Sequence, residues 1–216
     1  MGDSLQYHLL ELEVARDPSN RAHLMPPLKP HYRVILDVGC GMGQTLIAAG
    51  LPPDVTAYGV DRDAAAIEAG RRIAPANIHL SAGAGKKLEF ADDFFDYAIC
   101  RVALPYMRIG VALAEMFRVL KPGGEVWLAL HPPAMHRARA IRSLRQGQVR
   151  DVLYCALVAV NSLLFNSTGK QLVIGNTSET FQTEHGMRRA LERCGFEGIE
   201  IRHQASFVAE ARKPTV

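Results

Sequence analysis

The sequence predicts an α/β protein built on a doubly wound, seven-stranded sheet whose last strand runs antiparallel, with a helical insertion added late in the chain. Three observations predict it. From residue 33 onward, short apolar runs alternate with helix-like stretches, the pattern of a parallel sheet covered by helices on both faces. The first run breaks into glycines and reopens as a helix. The last two strand candidates are joined so tightly that they form a hairpin, which reverses the final strand.

Taken in order, strands are expected at 33–38, 55–60, 77–81, 95–101, 124–130, 196–202 and 205–211, with helices near 44–49, 62–72, 109–120 and 183–194. Over 109–120, Leu113, Met116, Phe117 and Leu120 share one face, the spacing of a buried stripe. Pro122, Gly123 and Gly124 end that helix. Residues 4–16 form a further amphipathic segment (Leu5, Leu9, Leu12), expected to close over a ligand. Residues 132–179 interrupt the path from strand five to the last helix. The chain of 216 residues is read as one domain.

The most informative stretch runs Val34-Ile35-Leu36-Asp37-Val38-Gly39-Cys40-Gly41-Met42-Gly43-Gln44. Glycine has no Cβ to hold a ligand off, so this loop brings backbone close to one. Eighteen residues after Gly43, the second strand ends in Asp61, placed to accept hydrogen bonds from both hydroxyls of a ribose. An NAD-dependent oxidoreductase uses the same device, but its G-x-G-x-x-G fingerprint needs a third glycine where this chain has Gln44. Here the glycines alternate, and Asp37 precedes them by two residues. That acid suits a ligand carrying an ammonium group.

With those residues in place, the chain resembles the class I S-adenosylmethionine-dependent methyltransferases, the Rossmann-like group that includes the ubiquinone-pathway C-methyltransferases and many small-molecule O- and N-methyltransferases. Leu88 to Asp96 is similar to the family's loop into strand four, and Leu120-Lys121-Pro122-Gly123-Gly124 to its turn into strand five. Arg188 to Glu200, with Cys194-Gly195-Phe196, resembles its last helix and the turn into strand six. The likeness covers roughly 33–131 and 180–213. It implies S-adenosyl-L-methionine as cofactor, with Gly39, Gly41 and Gly43 approaching its methionine part and Asp37 orienting the loop or the ammonium. Asp61 is then the ribose ligand, Arg62 lines the adenine rim, and Arg101 passes near the sulfonium. The family often places an acid after strand three for the adenine amino group. Here that position is Ala84, so only the backbone of Ala84 or Gly85 is left to meet the ring.

Methyl transfer from a sulfonium needs placement above all, and a base only where the acceptor must lose a proton. His131, ending strand five, is the candidate base, and Tyr106, after strand four, the candidate for positioning the acceptor. For each, the alternative is a lining or packing role. His185 and Tyr7 are weaker candidates. The Asn/Asp-Pro-Pro-Tyr motif of enzymes acting on nucleobase or glutamine amino groups is missing from Cys100 to Tyr106, which disfavours those substrates.

The remaining features narrow the class. A net charge of +3 is too mild to imply nucleic acid. Four widely spaced cysteines indicate neither a zinc site nor a disulfide framework. No leader pattern is visible, no apolar run is read as long enough for a membrane span, and a cytoplasmic location is expected. The insertion opens with Arg137, Arg139, Arg142, Arg145 and Arg150 and continues as the apolar stretch 152–165. It is read as a solvated helix followed by a helix packed on the core, as a lid whose arginines meet an anionic group while the apolar helix covers a hydrophobic body, or as a homodimer interface. The expected activity is methyl transfer to a small apolar or amphiphilic acceptor, at oxygen. The rivals are a cofactor-binding protein without turnover and an RNA methyltransferase.

Overall fold

The computed structural model describes residues 2–173, 178–203 and 207–215. Helix α1 (Gly2–Arg16) precedes a long irregular stretch; then follow β1 (Val34–Val38), α2 (Gln44–Ala48), β2 (Thr56–Asp61), α3 (Ala64–Arg71) and β3 (Ile78–Ala82). The chain continues through β4 (Phe95–Arg101), a 3-10 turn (Leu104–Tyr106), α4 (Ile109–Val119) and β5 (Leu120–Leu130). It ends with α5 (Pro133–Arg145), α6 (Val149–Thr168), α7 (Glu184–Arg193), β6 (Glu197–His203) and β7 (Phe207–Arg212).

The seven strands form one sheet in the order β3-β2-β1-β4-β5-β7-β6. Strands β1 to β5 pair in parallel, and β7 runs antiparallel to both β5 and β6. The expected fold and all seven strands are therefore present. Residues 205 and 206, where the last strand was expected to start, lie outside the described residues. Strand β5 pairs from Leu120, and the Pro-Gly-Gly turn breaks its register with β4 between Phe95 and Tyr97; Gly123 takes a positive φ of 78° there.

Each face of the sheet buries its own cluster. On one face α4 and α7 cover Leu36, Ala98, Leu128 and Phe207. On the other, Ile35, Ile99 and Trp127 pack with Leu46 of α2 and Ile67 of α3. Burial of both faces explains why the inner strands read as continuous apolar runs rather than alternating ones. Capping places two helix starts: Asp63 accepts from the amides of Ala65 and Ala66, and Thr183 from Gly186.

Two expectations need correction. Helix α1 does not pack through a Leu5–Leu9–Leu12 stripe: Leu12 and Ala15 are buried, while Leu5 and Leu9 are exposed. The face turned inward carries His8 and Glu11 instead, because those side chains find polar partners on the sheet's end. The insertion also contains an apolar run longer than expected, since α6 is 20 residues long and apolar enough to cross a membrane by length and composition. One face of it nevertheless packs on the domain, where Asn161 holds the carbonyls of Leu172, Ser178 and Glu179 and accepts from the amide of Leu172. The Ser162 hydroxyl accepts from the amide of Phe181.

Candidate active site

The connections leaving the adjacent strands β1 and β4 diverge to opposite faces of the sheet, and ligands in such sheets sit at that point. A cavity of about 530 Å³ opens there. One side is formed by Gly39, Val60, Asp61, Arg62 and Gly83 to Lys86; the other by Ala103, Tyr106, Met107, Val173 and Ser178.

The loop after β1 is fixed by backbone geometry. Gly39, Gly41 and Gly43 have φ of 77°, 58° and 82°, a region that side chains with a Cβ rarely adopt. Space is also absent: a Cβ on Gly39 would lie 2.2 Å from that of Ala103, and one on Gly41 2.6 Å from the His8 ring. The carboxylate of Asp61 accepts from the amides of Gly41 (2.8 Å) and Asp63 (2.9 Å), which ties the end of β2 to the glycine loop. Two carboxylate oxygens offer about four acceptor sites, so two remain for a ligand.

Asp37 is buried and neither of its side-chain oxygens has a partner. Burial pushes its carboxyl up to about 7, against the pull of the Arg101 guanidinium and with a further push from Asp61. An unmet carboxylate in this position is costly unless a donor arrives. Arg101 is not among the residues lining the cavity. Its guanidinium pairs with Glu11 of α1 at 2.9 Å and donates to the Thr45 hydroxyl at 3.1 Å. Helix α1 thus lies over the glycine loop, with His8 3.3 Å from the Gln44 amide.

On the other side, Tyr106 stands edge-on to His131, their ring centroids 5.4 Å apart. Burial, then Glu179, raises the Tyr106 hydroxyl to about 12, and Tyr7 of α1 is close enough to add to the effect. Burial lowers the His131 pKa, partly offset by Glu179. The backbone of His131 is clamped by Gln182 through two hydrogen bonds of 3.2 and 3.0 Å. Glu179 is nearly buried and meets the Tyr154 hydroxyl of α6 in a short hydrogen bond and Arg139 of α5 at 3.5 Å. Just after β4, Val102 adopts φ 66°, an uncommon conformation for a β-branched residue and one that clusters at functional sites.

A family profile described as a methyltransferase domain matches residues 35–124. A demethylmenaquinone methyltransferase from Staphylococcus haemolyticus is 30% identical over 204 residues, covering 88% of this chain and 79% of that one. The chain belongs to the class I S-adenosylmethionine-dependent methyltransferases. A second demethylmenaquinone methyltransferase, from Symbiobacterium thermophilum, is 41% identical over 105 residues; that match spans 44% of this chain and less than half (42%) of the relative. An S-adenosylmethionine-dependent methyltransferase from Methanosarcina mazei shares the fold at a TM-score of 0.57 and 21% identity, covering 88% of this chain and 95% of its own.

S-adenosylmethionine is accordingly the cofactor of this methyltransferase, and the residues present suit it. Asp37 offers unmet acceptor oxygens to an ammonium, and Asp61 keeps free lone pairs beside the cavity. Of the residues singled out in the sequence, Gly39, Asp61, Arg62, Ala84, Gly85 and Tyr106 line the cavity. Asp37, Gly41, Gly43 and His131 are not among the lining residues, although His131 stands against Tyr106. Arg101 is not among the residues lining the cavity; its guanidinium is held by Glu11 and Thr45. His185 is exposed on α7 against Arg189, away from the cavity wall. Among the described residues, no group of three or more acidic, His or Cys side chains could hold a metal. Glu179, Tyr154, Ser178 and Gln182 were missed by sequence reasoning. They come from an irregular segment and a helix interior, neither of which carries a local signature.

Proposed function

We propose that this methyltransferase acts on a small apolar or amphiphilic acceptor carrying a hydroxyl, with oxygen as the methylated atom. The observation that carries the reading is the shared cavity: residues suited to the adenosine line one side, and Tyr106, Met107, Ala103 and Val173 give the other side an aromatic and apolar character. Bound S-adenosylmethionine supplies an electrophilic methyl on a sulfonium. Asp61 would hold the ribose, Arg62 and the backbone of Ala84 and Gly85 the adenine, and Asp37 with the three glycines the methionine end.

Tyr106, kept protonated by its high pKa, donates a hydrogen bond that orients the acceptor. His131, kept neutral at physiological pH by burial, takes the hydroxyl proton. Helix α1 over the glycine loop, with Val173 and Ser178 at the cavity, would keep water out. The relatives named demethylmenaquinone methyltransferases favour a quinol-type acceptor. In such a molecule, removing a ring hydroxyl proton also activates the neighbouring carbon, so the same base serves transfer to carbon. The expected place of action is the cytoplasm.

The test is methyl transfer from isotopically labelled S-adenosylmethionine to reduced demethylmenaquinone and to simpler phenols, with the methylated atom located by NMR. Label on an acceptor oxygen supports the reading, and label on ring carbon corrects the acceptor atom. Transfer to RNA alone, weakening steeply with salt, would overturn it.

A further inference from the structure

Helix α6 is apolar on two opposite sides, and only one of them is covered. Cys155, Val158, Ser162 and Phe165 face the domain. On the opposite side Val149, Leu153, Leu157, Val160 and Leu163 form a solvent-exposed stripe, with Leu163 at 68% and Leu153 at 61% exposure. At a helical rise of about 1.5 Å per residue the stripe is about 21 Å long. No charged residue occurs anywhere from 152 to 169, although the outer face of a surface helix is ordinarily polar. Exposed apolar surface of this extent marks a contact.

Helix α5 is held beside α6 by His136, whose ring meets the carbonyl of Cys155 at 3.0 Å, and the two helices join through residues 146–148. Leu144 and Val149, flanking that turn, are 63% and 69% exposed and continue the stripe across it. Around it stand Arg137, Arg142, Arg145 and Arg150, all exposed. Among the described residues these four form no ion pair, and Asp151 is the one acid between residues 133 and 170.

We propose that the outer face of α5 and α6 docks on an anionic lipid surface, the apolar stripe entering the acyl boundary and the arginines meeting headgroup phosphates. Helices with an apolar face and basic flanks bind in the interfacial plane in this way, strengthened by anionic lipid. A second copy is the poorer occupant: two-fold pairing sets the patch against itself and brings the unpaired arginines together. The docked face also adjoins the cavity mouth, because Tyr154 of α6 and Arg139 of α5 hold Glu179, and Ser178 beside it lines the cavity. The helix lies on the surface and does not cross it, since Asn161 and Ser162 are engaged with the domain. The proposal stands independently of the acceptor's identity.

The test is co-sedimentation of the full chain with phosphatidylcholine vesicles and with vesicles containing about one-third phosphatidylglycerol, alongside sedimentation velocity without lipid. The expected result is a monomer that binds the anionic vesicles at least about tenfold more tightly than the neutral ones. Arg142→Glu with Arg145→Glu, or Leu153→Ser with Leu157→Ser, should each reduce that binding at least about tenfold while leaving the melting temperature and S-adenosylmethionine affinity unchanged. These positions are exposed, so the variants fold. Equal or absent binding to both vesicles overturns the proposal. So does a dimer that the Leu153 and Leu157 changes dissolve, which would make the face an interface between copies.

Discussion

The two sides of the cavity are built by different means. The side proposed for the cofactor is defined by backbone: three glycines in the left-handed region, an aspartate at each of two strand ends, and the Gly41 amide locked to Asp61. The side proposed for the acceptor is defined by side chains brought from far apart in the chain, with Tyr106 against His131, and Glu179 held between Tyr154 and Arg139. Backbone geometry tolerates few residue types, so it leaves a trace in sequence. Side-chain clusters can be assembled from many residue types, so they leave little trace.

If this contrast is right, the largest effect comes from the cofactor side. Gly39→Ala places a Cβ 2.2 Å from that of Ala103 in a backbone of φ 77°. It should weaken S-adenosylmethionine binding at least about a hundredfold and destabilise the fold by about 2–4 kcal/mol, read by calorimetry and thermal melting. On the acceptor side, His131→Ala should lower kcat by about a hundred- to ten-thousandfold with cofactor affinity unchanged. Loss of cofactor binding in that variant would erase the division between the two sides.

Asp37→Asn should weaken S-adenosylmethionine binding about ten- to hundredfold and yet raise the melting temperature at neutral pH. The reason is linkage. Burial raises the folded-state carboxyl to about 7, so its stabilising proton is fully in place below the unfolded value, near 4, and is lost as pH rises through 7. Above that pH the buried charge is a net cost, which asparagine removes. In the wild type, the same titration should weaken cofactor binding as pH falls below about 7, because a protonated Asp37 no longer attracts an ammonium.

The smallest effect is expected at Glu179. Its charge opposes the burial that lowers the His131 pKa, so Glu179→Gln should move the acidic limb of the kcat profile to lower pH, by less than about one unit. A shift to higher pH would show that Glu179 does not act on His131.

Legibility follows the same division. The seven strands and the reversed last strand were readable because buried strands are apolar throughout and because a hairpin is short. Gly39 and Asp61 could be singled out because the ends of the first two strands constrain spacing and residue type, whereas Ala84, after the third strand, was singled out through the family resemblance alone. The pairing of Arg101 with Glu11 was not readable, because that acid lies 90 residues earlier in the chain and carries no local mark. The inward face of α1 was misjudged for a related reason: His8 and Glu11 answer to partners on the sheet's end and not to the leucine periodicity. Glu179 and Tyr154 stayed hidden because an irregular segment has no period to break, and a tyrosine in an apolar helix reads as core.

The most direct test of the account is calorimetric titration of S-adenosylmethionine, S-adenosylhomocysteine and NAD into the wild-type protein and into Asp37→Asn. The account predicts dissociation constants on the order of micromolar for the first two with the wild type, no response to NAD, and a clear loss of affinity in the variant. Binding of NAD in their place, or S-adenosylmethionine affinity indifferent to Asp37, would contradict it.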